Sequence, residues 1–339
     1  MPPTSAGDAP GSLWCYAPNK GAPIAFAVLF LLSGLLHVYQ SLHYRSWKVT
    51  GLLPWAAALF VAGFITREVG AYHYTSEGLY ISSTRLLLIA PAVYEGANYF
   101  VLGRLLYYVP HHAPLHPGRV VTTFFGIDVL VGVLTGVAGS YIADPGLPQS
   151  KQHLGRDLLR AAMLLQLATM ALFIGITMRF HVRCRRAGVL KRNLRNVLLV
   201  VYGSCAIITV RTVYRTVEYF EQAISAAAVR EAGSEGGERS PIVCNEWFFW
   251  VFEATLMFLN STFLNVFHPA RFLPRDHKVF LARDGQTEID GPGDTDKRGW
   301  IQSILDPFDL IGLVRKKDVK YWEEENRQSC HDETEMRNR

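Results

Sequence analysis

The sequence predicts an all-α polytopic membrane protein that crosses the membrane with seven helices. Half of its 339 residues are hydrophobic. They are concentrated in seven runs, most of them about 20 residues long, and a helix of that length spans a bilayer. Soluble cores rarely contain such runs repeatedly, and the segments between these runs are polar or basic.

The seven runs form a single predicted transmembrane domain over residues 22–269. The runs cover residues 22–42, 51–72, 79–108, 120–141, 157–180, 194–219 and 246–267. The third run is the longest and contains Pro91, which predicts a tilt or a kink. The first run is long enough to remain as an anchor, and no basic segment typical of a cleaved signal peptide precedes it. Residues 1–21 are predicted to form an extracellular or lumenal tail, and residues 270–339 a cytoplasmic, largely disordered tail.

Lysine and arginine residues near the ends of the runs predict the orientation. The most basic connection follows the fifth run and carries Arg179, Arg183, Arg185, Arg186, Lys191, Arg192 and Arg195. Because short cytoplasmic connections carry an excess of positive charge, this connection is predicted to be cytoplasmic and the N-terminus to lie outside. The formal net charge of +5 then indicates contact with anionic lipid head groups, and no nucleic-acid partner is expected.

The five cysteines predict neither a metal site nor a cofactor, because they are scattered and form no C-x-x-C pair. Cys15 and Cys244 both precede helices on the predicted outer side, where a disulfide could form. A shared compartment does not establish the short Cα separation that a disulfide requires, so this pairing stays open.

Ionisable residues inside the apolar runs are the main functional signal. Each costs about 2.5–3.5 kcal/mol in hydrocarbon on insertion scales, so these side chains are expected to face the bundle interior. A rise of about 1.5 Å per residue places Arg211 about 22 Å across a core of about 30 Å. The outer layer contains Arg67, Glu68, Arg85, Arg211, Arg215 and Glu253, with Glu218 at the interface. The inner layer contains His37, Gln40, Glu95, Asn98 and Asp128, and Gln166 falls between the two layers.

These residues permit a substrate or proton pathway, a structural salt-bridge network, or, for the residues nearest the interface, side chains that simply reach water. The expected structural pair is Arg211 with Glu253 or Glu68. A lone helical histidine such as His37 is more often simply hydrogen-bonded. In the fourth run, the spacing of Gly132 and Gly136 predicts a close helix contact.

Five stretches together resemble signature segments of the fungal RTA-like family, also called lipid-translocating exporters. They are YAPN (16–19), APAVYEGANYFVLGR (90–104), FFGIDVLVGVLTGVAG (124–139), VRTVYRTVEY (210–219) and EWFFWVFEATLMFLNSTFLNVFHP (246–269). The residues that fit the pattern include Ala90, Pro91, Gly103, Arg104, Asp128, Arg211, Tyr214, Arg215, Glu218, Tyr219, Glu246, Glu253, His268 and Pro269. The chain departs from the family at Thr135, where glutamine is common, and at Glu253, where aspartate is usual.

The resemblance implies a seven-helix protein of the plasma membrane, or of an endomembrane, that moves or handles lipids and amphiphiles. Members of the family are associated with sphingoid bases, aminosterol resistance and porphyrin uptake, and so with tolerance of lipids or drugs and with stress responses. The family provides no agreed catalytic residues to carry over.

The function expected from these observations is translocation of amphiphilic lipids, such as sphingoid bases or sterol-like molecules. The partners are then membrane lipids or amphiphilic small molecules, and the acidic Glu68, Glu253 and Asp128 are candidates for binding an amine-bearing head group. No ATPase motif G-x-x-x-x-G-K-[ST] occurs. The candidate residues, here called the polar seam, are His37, Glu68, Arg85, Glu95, Asp128, Gln166, Arg211, Arg215, Glu218 and Glu253.

The alternative is a seven-helix receptor or a regulator of membrane-lipid stress signalling, which the same topology permits. A retinal protein is excluded, because the seventh run has no lysine. An enzyme is not expected, since neither H-E-x-x-H nor G-x-S-x-G occurs. The sequence leaves the substrate and the oligomeric state open.

Overall fold

A computed structural model describes residues 18–290 except 74, 116, 144–146, 232–244, 275, 277 and 283–286. It contains seven helices that are long and apolar enough to cross a membrane, which confirms the predicted all-α polytopic fold. These spans, numbered first to seventh, are Ala22–His43, Leu52–Gly70, Glu77–Tyr108, Pro117–Ala143, Gln149–Arg186, Arg192–Glu231 and the helix from Glu246 to Val266. The predicted Cys15–Cys244 disulfide and residues 291–339 of the predicted tail lie outside the described residues.

The seven spans form a closed ring, and the third span also contacts the sixth across it. Each packs against the next along the chain, and the first also packs against the seventh. The third span is the most buried of the seven, with Tyr94 and Leu102 fully enclosed. It continues as a helix past Pro91, so the proline does not interrupt the span. On the outside of the ring, residues such as Leu32 and Leu35 of the first span are exposed, as lipid contact requires.

Small residues allow close approach between spans, but at other positions than the sequence predicts. A Cβ on Gly155 of the fifth span would lie 2.8 Å from the Tyr141 side chain and 3.1 Å from the Ala138 carbonyl oxygen. Around Gly132 and Gly136 it would meet nothing within 4 Å. The expected close contact at these two glycines is therefore wrong within a single chain. The fourth span turns its Ala138 face inward, and Gly132 and Gly136 lie on its exposed face.

The seventh span changes its helical winding near its start. Residues Glu246–Phe249 are α-helical, Trp250–Thr255 form a π-helical turn, and Leu256–Val266 are α-helical again. A π turn shifts the register of the side chains that follow it and is often found at functional positions. Glu253 lies within this turn and is completely buried.

A folded segment follows the seventh span. A 3₁₀ turn covers Pro269–Arg271, and a small antiparallel hairpin pairs β1 (Val279–Leu281) with β2 (Glu288–Asp290). The register places Val279 opposite Asp290 and Leu281 opposite Glu288. The largely disordered tail predicted from residue 270 is therefore wrong for this first part, which adds two short strands to a helical protein.

The hairpin is held against the end of the third span. The Arg104 guanidinium donates to the carbonyl oxygen of Asp276 at 2.7 Å and to that of Val279 at 3.1 Å. The Tyr108 hydroxyl donates to a carboxylate oxygen of Glu288 at 2.7 Å. Arg104, which belongs to the glycine–arginine end of a family-like stretch, thus has a structural role in fixing the segment after the seventh span.

Candidate functional site

Four charged residues form a compact ion-pair layer between the sixth and seventh spans. Arg211 donates to both oxygens of Glu253, from Nη2 at 2.7 Å and from Nε at 2.9 Å. Arg215 donates from Nε to the same carboxylate at 2.8 Å and from Nη1 to Glu218 at 2.7 Å. The pairing of Arg211 with Glu253 is the first of the two that the sequence predicts.

The layer is compensated in charge. Residues 211, 215 and 218 lie on one face of the sixth span, because they are four and three residues apart on a helix. Their two guanidinium groups are balanced by the carboxylates of Glu218 and Glu253. Bidentate hydrogen bonds between arginine and carboxylate are strong and fix the geometry of both side chains. Every charged group of the layer therefore has its partner inside the protein.

Arg67 and Glu68 take part in separate contacts near the same end of the bundle. Arg67 forms an ion pair with Glu246 at 2.8 Å, and its guanidinium lies 4.3 Å from the centre of the Phe249 ring. Glu68 accepts a hydrogen bond from the backbone N–H of Gly21 at 3.1 Å, where the first span begins. No contact between Glu68 and Arg211 is present among the described side chains. Glu68 therefore caps a backbone N–H at the start of the first span.

Arg85 does not join the buried charges. Its side chain is exposed, whereas Ser83, Leu87 and Ala90 of the same span are buried. At about 100° per residue, Arg85 lies about 200° away from Ser83 around the helix. Its assignment to the interior is therefore wrong, because the side chain lies on the outward face of the span.

Glu95 of the third span is buried, and Asp128 of the fourth is half-buried with both carboxyl oxygens shielded from solvent. The two residues are here called the carboxyl pair. The two side chains interact electrostatically, and Tyr99 lies beside both of them. Gln166 of the fifth span donates to Glu95 Oε2 at 2.7 Å. Arg211 is close enough to act on Glu95 electrostatically, so the ion-pair layer adjoins the carboxyl pair.

The carboxyl pair has few hydrogen-bond donors: Gln166 donates to one oxygen of Glu95, and the Tyr99 hydroxyl lies beside both acids. Glu95 Oε1, both carboxyl oxygens of Asp128 and the Tyr99 hydroxyl are shielded from solvent without a hydrogen-bond partner in the described part of the chain. A carboxylate oxygen can only accept hydrogen bonds, and a buried acceptor without a donor is costly. Within the described residues, no group of three or more histidine, cysteine or acidic side chains could hold a metal ion. The arrangement suits a small group that brings N–H or O–H donors and positive charge.

Hydroxyl and amide groups connect the spans around the remaining part of the core. His37 Nε2 lies 3.2 Å from Ser261 Oγ, which also accepts a hydrogen bond from the Tyr94 hydroxyl at 2.7 Å. Ser33 and Ser261 are hydrogen-bonded at 2.6 Å. His37 is thus a hydrogen-bonded core histidine, the simpler of the two interpretations that the sequence allows.

A second chain of hydrogen bonds was not foreseen from the sequence. Asn98 donates to Ser204 Oγ at 2.9 Å, and the Ser204 hydroxyl donates to Asn260 Oδ1 at 2.7 Å, which joins the third, sixth and seventh spans. A signal is present in the seventh span, where Asn260 and Ser261 follow the apolar stretch LMFL (256–259). Uncharged polar residues in such a run mark the face that contacts other helices.

The fold and the interior together define the class of this molecule. A closed ring of seven membrane-length helices, with compensated ion pairs and a carboxyl pair inside, is a multi-pass membrane protein with a polar interior. A family model described as RTA1 like protein matches residues 54–276, and the chain belongs to this family. The membership agrees with the motifs noted above: four of the five stretches fall within that range, and YAPN (16–19) precedes it.

Curated relatives extend over most of the chain. A lipid-translocating exporter-like protein RTA1 from Leptosphaeria maculans is 40% identical over 319 residues, which are 91% of this chain and 60% of that protein. A protein of the same name from Ajellomyces capsulatus is 34% identical over 81% of this chain and 86% of its own length. The sphingoid long-chain base transporter RSB1 of Saccharomyces cerevisiae is 22% identical over 74% of this chain and 72% of its own length.

The chain therefore spans about three-fifths of the length of the Leptosphaeria maculans relative, and most of the Ajellomyces capsulatus one. No solved structure matches this chain.

Proposed function

We propose that the protein moves amphiphilic lipids across the membrane, and that the carboxyl pair binds a positively charged amine in the lipid head group. The observation that carries the proposal is the set of buried carboxyl oxygens on Glu95 and Asp128 that have no donor among the described residues. An ammonium group supplies three N–H donors and a positive charge. The printed names of the relatives, which describe lipid-translocating exporters and a sphingoid long-chain base transporter, support a lipid of this type.

The ion pairs narrow the choice of acidic groups that can receive an amine. Glu253 is held by two arginines, and Glu68 accepts from the backbone of Gly21. An amine at Glu253 would have to displace charge-assisted hydrogen bonds that are already formed. Glu68 and Glu95 each keep one buried oxygen without a donor among the described residues, whereas Asp128 keeps two. Of the three acids expected to bind an amine we therefore retain Asp128, and we add Glu95 because it interacts electrostatically with Asp128.

The position of Asp128 suits a ligand with a polar head and an apolar tail. Its carboxyl oxygens are shielded from solvent, while the next two residues, Val129 and Leu130, are about half exposed on the outside of the ring. We propose that the head group reaches the carboxyl pair from this lipid-facing side while its acyl chain stays in hydrocarbon. In the absence of an ATPase motif, we propose movement down a gradient or coupled to protons, with the N-terminus outside, in the plasma membrane.

A flux measurement in liposomes tests this proposal. The purified chain is reconstituted, and the movement of labelled sphingoid base, phospholipid and sterol is followed. Loss of a hydrogen bond to a charged group corresponds to about a tenfold or larger change, so Glu95→Gln and Asp128→Asn should each slow sphingoid-base flux by about that factor. Glu77→Gln, which removes an exposed carboxylate from the same span as Glu95, is the matched control and should leave flux unchanged.

Two outcomes would contradict the proposal. Wild-type flux in both carboxyl-pair variants would show that Glu95 and Asp128 do not bind the amine of the transported lipid. Charge-dependent binding of the sphingoid base without any movement across the bilayer would instead favour a receptor or a regulator.

A further inference from the structure

Arg45 occupies a backbone position that usually belongs to glycine. Its φ is +51°, and it is the one non-glycine residue with positive φ in the part of the chain that the structure describes. The first span ends here: the N–H of Arg45 donates to the carbonyl of Leu42 at 3.1 Å, and that of Ser46 to the carbonyl of Ser41 at 3.0 Å. Helices commonly end with a left-handed residue at this position, and glycine adopts that conformation without steric cost.

A strained residue is retained where the surroundings hold it in place, and such residues cluster at functional positions. The side chain of Arg45 is exposed and contributes nothing to the core. Glycine would adopt this positive φ with less strain. The presence of an arginine side chain at this position therefore calls for an explanation.

The Arg45 side chain lines a cavity of about 320 Å³ at the basic end of the bundle, the end that carries the connection between the first and second spans. The other walls come from that same connection, from the end of the third span and from the turn after the seventh span. Lys48 and Arg104 also line it, and no carboxylate is present among its described lining residues. The cavity is therefore strongly positive.

A neighbouring cavity at the same end of the bundle has an acidic side chain among its lining residues, so a lining with only basic charged side chains among the described residues is particular to the Arg45 cavity of the two. It has a volume of about 390 Å³ and lies on the other side of Leu273 and Pro274, which line both cavities. It contains Lys191 and Arg271 but also the carboxylate of Glu288. Only the Arg45 cavity of these two lacks an acidic side chain among its described lining residues.

Apolar surface adjoins the positive cavity. The Trp47 side chain lines it and is half exposed, as is typical of tryptophan at the boundary between lipid and water. Leu42, three residues before Arg45, is 63% exposed on the outside of the first span. A ligand that uses both features carries negative charge at one end and hydrocarbon at the other.

We propose that the Arg45 cavity binds the phosphate-bearing head group of an anionic phospholipid, with the acyl chains against the first span. Arginine recognises phosphate with paired N–H donors, which explains why it is retained at a position suited to glycine. A lipid bound there contacts both the first connection and the turn after the seventh span, and so stabilises the folded bundle. The proposal concerns a structural lipid and does not depend on the proposed transport activity.

Thermal unfolding of the full chain in a neutral detergent tests the inference. Dioctanoyl phosphatidylinositol phosphate is the probe, with dioctanoyl phosphatidylcholine and inorganic phosphate as separate arms. The wild type should be stabilised by the anionic lipid and by neither comparison compound. Equal stabilisation by inorganic phosphate would assign the site to a free anion and overturn the lipid assignment.

Arg45→Gly distinguishes an effect on stability from an effect on lipid binding. Glycine removes the steric strain of the positive φ and at the same time removes the guanidinium group. Without lipid, this variant should unfold at or above the wild-type temperature. Its apparent affinity for the anionic lipid should fall about tenfold or more. Lys48→Gln, which leaves the left-handed backbone untouched, should weaken the same binding.

Arg185→Ala is the matched control, because it removes one exposed positive charge from the basic connection that follows the fifth span without altering the cavity. It should bind the anionic lipid as the wild type does. Wild-type affinity in both Arg45→Gly and Lys48→Gln, or an equal loss in Arg185→Ala, would overturn the proposed site.

Discussion

The ion-pair layer and the carboxyl pair both place carboxyl groups in the interior, but they differ in how the charges of these groups are compensated. In the layer, the carboxylates of Glu218 and Glu253 have two guanidinium partners at 2.7–2.9 Å. In the pair, Glu95 and Asp128 receive one amide hydrogen bond in the described structure, from Gln166. Burial alone therefore does not mark a binding site. The difference between a compensated and an uncompensated carboxyl group is what separates architecture from a candidate site.

The largest expected effect comes from removing the acid at the centre of the ion-pair layer. Glu253→Ala leaves the Arg211 and Arg215 guanidinium groups without their common partner. Breaking a buried ion pair in this way typically costs about 3–5 kcal/mol, so the variant should unfold far more readily or fail to accumulate. Reversible denaturation in detergent micelles measures this change.

The exposed pair of Asp157 with Arg160 is the control for that loss. Asp157→Ala should cost less than about 1 kcal/mol, because water screens an exposed pair. Similar destabilisation by the two substitutions would show that the ion-pair layer is not the compensated structural unit described above.

The next largest effect is expected from single arginine substitutions in the same layer. Arg211→Ala removes the two-pronged contact but leaves Glu253 paired with Arg215, so it should destabilise less than Glu253→Ala. A double-mutant cycle should give a coupling of about 0.5–3 kcal/mol between residues 211 and 253. A coupling near zero would mean that the contact does not contribute to stability.

The carboxyl pair should respond in the opposite way. Glu95→Gln replaces a buried acid with a neutral group of similar size, so stability should change by no more than about 1 kcal/mol, while sphingoid-base flux falls. Comparing the unfolding midpoint with flux in one preparation checks both expectations. A large loss of stability would place Glu95 with the structural charges.

The smallest effect is expected at Arg85, which the sequence assigned to the interior and the structure places outside. Arg85→Ala should change the free energy of unfolding by less than about 0.5 kcal/mol and leave flux unchanged, as exposed substitutions usually do. A defect as large as that of Arg211→Ala would indicate that Arg85 enters the interior in a conformation different from this one.

The sequence predicts the spans well because the bilayer sets a minimum apolar length. The first span, expected at 22–42, is observed at Ala22–His43. The fifth, expected at 157–180, extends over Gln149–Arg186, because a helix can continue into polar residues beyond the membrane and hydropathy does not detect that part. The π turn in the seventh span has no comparable sequence signal.

The candidate site is less predictable, because depth along a span says nothing about direction around it. Depth along the spans predicts Glu253 beside Arg211, but the same argument predicts Arg85 in the interior. The electrostatic interaction between Glu95 and Asp128 depends on how the third and fourth spans are rotated and packed. That relation comes from many small contacts between helices, and no motif in the sequence encodes it.

Binding of matched lipids tests the central claim most directly. The equilibrium affinity of a labelled sphingoid base is compared with that of its N-acetyl derivative, which has the same chain and no positive charge, for wild type and Glu95→Gln. The wild type should prefer the charged base by about tenfold or more, and the variant should lose most of that preference. Equal affinities in the wild type, or an undiminished preference in Glu95→Gln, would contradict the assignment of the carboxyl pair as the amine site.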